Sequence, residues 1–320
     1  MKLKTLYEEI IKKGIDADVR DKREIEKILK ERLQAYEKSS VQEKKFFDQE
    51  TLNNPFADTR ILWGASDVDI RSMMVGIDID GSELVVAQQL KSNGTGIDLV
   101  IGHHPAGRAY ANFYNVMDLQ VDMFMQEGIS VSVAENLLAV RKSEVARRVH
   151  AANHQRSVDC ARLLGINFLC MHTPCDNLAH QYVCGLVKKE KPATLGSILD
   201  LLLALPEYHD AASNNNAPEI VIGNRNSRAA RIHVEFTGGT EGPQGIYQRL
   251  SGIGVDTVIA MHQSEEHYKK CKEENINVIF ASHIASDALG INLMLDYLET
   301  KAKFKIYECS GFRRFGRKHK

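Results

Sequence analysis

The 320-residue chain has no uninterrupted apolar run of the roughly 18 residues that a membrane-spanning helix requires, so none is expected. It also lacks charge bias: 41 Lys and Arg oppose 42 Asp and Glu, for a formal net charge of −1. Without a global positive field, neither nucleic acid nor an anionic membrane is an expected partner. Six cysteines, at 160, 170, 175, 184, 271 and 309, form no CxxC pair. They are read as reduced thiols of a cytoplasmic protein. The opening MKLKTLYEEIIKKG lacks the continuous apolar centre of a secretion signal and reads as an amphipathic helix. No Walker-type phosphate loop is present, and no internal repeat stands out. Histidine is what the chain has in excess. There are twelve, several in apolar or glycine-bounded contexts.

With 43% hydrophobic residues the chain can bury a sizeable core, as one large or two medium domains. Residues 1–50 read as helical. Leu3, Leu6, Tyr7, Ile10 and Ile11 share one face, Gly14 is a natural stop, and Asp21 is placed to cap a second helix. Ser40 and Glu43 form a capping-box pattern for a third. From about residue 70, apolar runs alternate with helical patterns. Strands are expected at 72–78, 97–101, 129–133 and 167–171, with helices at 83–92, 112–127 and 141–165. After the charged turn 187–193 comes a leucine-rich helix at 195–205 ending at Pro206, then a loop at 213–218. Strands at 219–222, 231–236, 256–260 and 278–281 follow, with helices at 264–274 and 283–299 and a last strand at 303–308. Continuous apolar strands between helices predict an α/β fold with mostly parallel sheets covered on both faces. The expected organisation is a helical extension (1–50), a first α/β half-domain with a helical insertion (51–186), and a second (187–320). The second ends in the last strand and a basic, frayed tail. A cleft lies between the two half-domains.

Three loops at the ends of apolar strands carry the chemistry. Ile101-Gly102-His103-His104-Pro105 offers two consecutive imidazoles where α/β sheets place ligands. Met171-His172-Thr173-Pro174-Cys175-Asp176 adds a histidine and a carboxylate. In Ser282-His283-Ile284-Ala285-Ser286-Asp287 the histidine and aspartate are four apart, on one face of a helix starting near 283. Each loop alone has a plain alternative: a polar turn, a helix cap, an exposed polar pair. Three such loops together make coincidence a poor account. Histidine and carboxylate suit Zn, Mn or Fe, and the inventory exceeds what one ion needs.

In order and context these motifs resemble the NGG-interacting-factor-like family, also called the dinuclear metal-centre hexamer proteins or GTP cyclohydrolase type 2. That family's pattern is a His-His-Pro, a later His-Thr-x-x-Asp, and a His-x-x-x-Glu near the C-terminus. Here they read IGHHP (101–105), MHTPCD (171–176) and SHIASD (282–287). The stretch GVDTVIAMHQSEEHYKKCKEENINVIFASH adds to the likeness, which spans roughly 58–300. The resemblance implies two divalent metal ions held by His103, His104, Asp176, His283 and Asp287, with the aspartates in shared positions. His172 belongs to the motif without being assigned as a ligand. It also implies a homo-oligomer, a hexamer in the family. The departures are Asp287 in place of glutamate, NLAHQYVCG after Asp176, DTRILWG at 58–64, and a longer stretch between the first two motifs.

The implied activity is a dinuclear-metal hydrolase acting on a small-molecule or phosphorylated substrate. Its ions would lower the pKa of a water for attack on a phosphoester, amide or purine-ring carbon. A non-catalytic metal-binding scaffold or interaction module is the alternative. His262 and His267, beside Glu265 and Glu266, are candidates to line the same cleft. The loop FTGGTEGPQG (236–245) is either a phosphate cradle or a plain turn. His150 and His154, with Arg147, Arg148 and Arg156, read as a solvated helix face. Cys170, Cys175 and Cys184 read as buried thiols outside the ligand set.

Overall fold

The computed structural model describes residues 1–317, as an α/β arrangement of nine strands and fourteen α-helices. The first half contains β1 (Arg60–Trp63), β2 (Ser72–Gly76), β3 (Leu99–Gly102) and β4 (Phe168–Cys170). The second contains β5 (Glu219–Ile222), β6 (Ile232–Glu235), β7 (Thr257–Ala260) and β8 (Asn277–Phe280). A last strand, β9 (Lys305–Glu308), crosses back to pair with β2. The sheets run β1-β4-β3-β2-β9 and β5-β8-β7-β6. All neighbours are parallel except the antiparallel edge pairs β1/β4 and β5/β8. Every residue of β2, β3, β4 and β7 is buried, as strands covered on both faces must be.

The two sheets repeat one plan. Both edge pairs carry a register shift at the same place, between Ile61 and Trp63 and between Ile220 and Ile222. Each edge strand then turns at a glycine with positive φ, Gly64 (+125°) and Gly223 (+104°). A β-carbon there would meet the side-chain oxygen of Asn167 or Asn277, each at the start of the neighbouring strand. Asp98 accepts from the backbone N–H groups of Arg71 and Ser72, both at 2.9 Å. Asp256 does the same for Ala230 and Arg231, at 3.1 and 2.8 Å. These matched devices identify an internal duplication.

The halves meet through two helices, Thr173–Glu190 after β4 and His283–Glu299 after β8. They cross so closely that a β-carbon on Gly290 would lie 2.3 Å from the carbonyl oxygen of Cys175. Cys175, Leu178, Ala288, Ile291 and Met294 are buried in one core beside this crossing. Leu3–Asp16 adds Leu3, Leu6 and Ile10 to the same core. Gly14 does not end that helix, which runs to Asp16. Its missing side chain makes room for Pro174, whose β-carbon would otherwise lie 2.7 Å from the added one. The caps at Asp21 and at Ser40–Glu43 are present as expected. Among the described residues, no helix is long and apolar enough to cross a membrane.

Several local readings are corrected by packing. Residues 129–133 form no strand: Ile129 is buried, and a helix, Val131–His150, begins two residues later. The pattern at 141–165 is broken into that helix and Arg156–Leu164. Pro206 opens a helix, Pro206–Ser213, because an N-terminal position needs no N–H donor. The four-residue edge strand β1 was not anticipated. The last strand, expected with the second half, completes the first sheet. The insertion helices, from the first half of the chain, pack Phe124, Ile129 and Ala134 against Ile246, Tyr247 and Leu250 of the second. The basic tail is docked rather than frayed as far as residue 317. Phe312 is fully buried, and Arg317 makes two 2.9 Å contacts to the buried Glu207. The remaining residues of that tail, 318–320, lie outside the described residues.

The crossing sets a test. Gly290→Ala forces one backbone away from the other and is expected to cost about 1–3 kcal/mol by urea denaturation. Gly252→Ala, where a β-carbon meets nothing within 4 Å, is the control and should be near neutral or stabilising.

Candidate metal centre

The duplicated plan delivers two helix N-termini and two strand-end loops to one place. Past β3, the N–H groups of His103 and His104 both bond the carbonyl of Ile77, at 3.0 Å each, which fixes the turn. His103 is fully buried. Its Nδ1 faces the Met171 carbonyl at 3.2 Å, while Nε2 lies 3.2 Å from Asp176 Oδ1 and 3.5 Å from Asp287 Oδ1. His104 Nδ1 is paired with Asp78 Oδ1 at 2.7 Å, leaving Nε2 3.4 Å from Asp287 Oδ2. His283 Nε2 lies 3.5 Å from the same Oδ2. His172 is held through Nδ1 by the buried Asp58 at 2.8 Å, and its Nε2 lies 3.6 Å from Asp176 Oδ2. Ser282, at φ +73°, turns the chain from β8 into the helix that carries His283 and Asp287.

Three imidazoles, His103, His104 and His172, thus have Nδ1 against an oxygen acceptor. That arrangement selects the Nδ1–H tautomer and aims the Nε2 lone pair inward, as in metal-ligating histidines. Four inward atoms are buried without a hydrogen-bond partner: His103 Nε2, Asp176 Oδ1 and both oxygens of Asp287. Buried polar atoms are ordinarily paired. These approach one another, or Nε2 of His104 and His283, at 3.2–3.5 Å without hydrogen-bond geometry. Ligands about 2.0–2.1 Å from a tetrahedral ion sit about 3.4 Å apart, so the spacing suits a shared cation. Three groups have their ligand atoms within 4.8 Å of one another: His103 with Asp176 and Asp287, His104 with His283 and Asp287, and His103 with His104 and His172. Buried histidine and aspartate groups that can hold metal ions are therefore present.

The electrostatics point the same way. Burial opposes charge on His103, yet Asp287 and Asp176 outweigh it and hold the imidazole well above its ordinary pKa. Burial likewise opposes charge on His104, but Asp287 and Asp78 raise it to about 9. Burial would raise Asp287, but the histidines, His103 first, hold it well below the carboxylate range. His283 is lowered by burial, only partly offset by Asp287. A buried carboxylate at the centre demands positive charge, from protons on imidazoles or from cations.

All five residues expected as ligands come together, with His172 beside them. Of the two aspartates, Asp287 is the one that belongs to two of the groups, with one oxygen toward His103 and the other toward His104 and His283. Asp176 faces His103 and His172 instead. The sequence reading missed the orienting carboxylates Asp58 and Asp78. Their one signal was position, just before β1 and just after β2. His262 lines the cleft with His283 and Asp287. His267 does not; it is buried, and its Nε2 lies 2.8 Å from the Gly242 carbonyl, bracing the glycine-rich loop. That loop is no free turn either: the Gln120 amide donates to the carbonyls of Gly238 and Thr240, at 3.0 and 2.7 Å. Cys170 and Cys175 are buried, Cys184 contacts His180, and none of the three joins a ligand group. His154 bonds its own loop at Ala152 and takes no part.

No protein-family model matches the chain, and no curated protein does. Among solved structures, a NIF3 superfamily protein from Sphaerobacter thermophilus matches with a TM-score of 0.71 at 28% identity, over 82% of this chain and 94% of that one. Reduced HcgD from Methanocaldococcus jannaschii matches at 12% identity over 84% of this chain and 95% of that one, with a TM-score of 0.49. A Bacillus cereus protein related to NIF3 matches at 9% identity over 78% and 89%, with a TM-score of 0.41. The first likeness is informative in both shape and sequence; the other two are too distant to bear weight.

Asp58 offers a test that needs no substrate. It accepts from His172 Nδ1 and, at 2.6 Å, from the buried Thr173 hydroxyl. Asp58→Ala strands both donors and is expected to lower stability in urea by roughly 1–3 kcal/mol per donor. An unchanged unfolding midpoint would show that Asp58 does not fix His172.

Proposed function

This chain is a divergent member of the NIF3-like family, and from that premise we propose that it is a dinuclear-metal-dependent hydrolase. The observation that carries the proposal is the split of Asp287, whose two buried and unpartnered oxygens face two different ligand groups. One ion is assigned to His103, Asp176 and Asp287, the other to His104, His283 and Asp287. Each would then have three protein groups, the number usual in catalytic rather than structural sites. Mixed imidazole and carboxylate donors select Zn, Mn or Fe over Ca or Mg. Two such ions, when bound, supply Lewis acidity and a water ionised near neutral pH.

The side chains of this protein do the rest. Asp58, Asp78 and the Met171 carbonyl hold three imidazoles in one tautomer, so their lone pairs need no reorganisation. His103, Asp176 and Asp287 form a dry inner wall, while His104 and His283 are partly exposed and face the entrance. The cleft lined by His172, Thr237, His262 and Asp287 holds about 60 Å³, room for only a few waters. A substrate therefore presents one small reacting group, such as a phosphoester or a ring carbon, and leaves its bulk outside. The same kinship supports a homo-oligomer, with the hexamer as our expectation for light scattering.

Elemental analysis tests the centre first. About two equivalents of Zn, Mn or Fe per chain are expected. Asp287→Ala should lose both ions and His104→Ala about one. Hydrolysis of an activated phosphodiester should then fall about 100-fold or more in His104→Ala and on chelation. Two bound ions with no turnover of phosphoesters or purine nucleotides, and an oligomer that dissociates on chelation, would favour the non-catalytic scaffold.

A further inference from the structure

The internal duplication assigns counterparts across the two halves. His104 stands two residues past the end of β3, and His262 stands two residues past the end of β7. These are matching central strands of their sheets. The match extends to orientation. His104 Nδ1 is held by Asp78, from the loop after β2, and His262 Nδ1 lies 3.4 Å from Glu241, from the loop after β6. Both rings also stand against His283, with centroids 5.2 Å away for His104 and 4.6 Å for His262. The two positions differ in their neighbours, His103 being replaced by Met261, and in exposure, 27% for His104 and 48% for His262.

On this ground we infer that His262 is a further metal ligand, on the ion assigned to His104, His283 and Asp287. The inference rests on the dinuclear reading above. With Nδ1 toward Glu241, a neutral ring would keep its Nε2 lone pair for a cation, as a neutral His104 would beside Asp78. His262 stands outside the 4.8 Å groups, so joining this one takes a shift of its side chain with Nδ1 kept toward Glu241. At 48% exposure, that side chain has room on its solvent side. Glu241 is a positioning residue. It is held in turn by Arg141, which lies 3.6 Å from its carboxylate and donates to its backbone carbonyl at 3.2 Å. With His262 in place that ion would have four protein groups, against three for the ion assigned to His103, Asp176 and Asp287.

The test is a Co²⁺ titration of wild type, His262→Ala, His262→Gln and Glu241→Gln. It reads stoichiometry by equilibrium dialysis and the ligand field by visible absorption. Wild type is expected to take up two equivalents. In both His262 variants the first equivalent should be unchanged, and the second should bind about 10–100-fold more weakly with an altered visible band. Glu241→Gln should weaken the same equivalent by less. His262→Gln keeps a polar side chain of similar reach, should the alanine variant fold poorly. Two equivalents with wild-type affinities and spectra in both variants would overturn the assignment and leave the dinuclear centre standing. A change in turnover alone would overturn it too, since His262 would then face substrate. No uptake by wild type would remove the dinuclear reading and this ligand with it.

Discussion

The site depends on one close crossing, that of Thr173–Glu190 over His283–Glu299 at Gly290 and the Cys175 carbonyl. The first turns of these helices carry His172 and Asp176, and His283 and Asp287. Only a residue without a β-carbon lets the two backbones approach so nearly. Separate the helices by one methyl group and Asp176 and Asp287 no longer both reach His103. The crossing also sets an electrostatic problem. Two buried acidic groups share one imidazole in a low-dielectric interior, where unpaired charge is costly. The surroundings answer with imidazoles and leave four ligand atoms unpartnered. A buried polar cluster left in that state can hold a cation.

Duplication explains why the parts converge. Each half supplies a strand-end loop and a strand-to-helix turn, and the crossing helices bring both sets to one cleft. The halves are not equal copies. The first carries two histidines past its central strand and buries one completely; the second carries Met261 and the half-exposed His262. The centre therefore has a dry inner side, at His103 and Asp176, and an open side, at His104, His262 and His283. The insertion supports that asymmetry: its helices pack Phe124 on the second half and brace the glycine-rich loop through Gln120 and Arg141.

The peripheral segments hold the crossing in place. Gly14 packs on Pro174, where the first crossing helix begins, and the Asn177 amide reaches the Gly14 carbonyl and Asp18 while its oxygen accepts from Thr237. At the other end Arg317 pairs with Glu207, which also accepts from Asn292 of the second crossing helix. Chain segments far apart in sequence are thereby tied to the same two helices.

The sequence by itself located the histidines and aspartates that cluster. Buried strands read as apolar runs because parallel strands are covered on both faces. The motifs following 101, 171 and 282 stood out because three histidine-bearing strand ends together outweigh the plain uses each has alone. It did not reveal the duplication, whose signals are an aspartate stapling a strand entry and an asparagine beside a glycine turn, too sparse for repetition to show. The tertiary structure decided which carboxylate faces two groups, that Asp58 and Asp78 orient imidazoles 114 and 26 residues away, that β9 returns to the first sheet, and that His267 braces a loop. These depend on distances across the fold. Side-chain type and periodicity encode what a residue can do locally. Which partner it meets is fixed only when the helices cross.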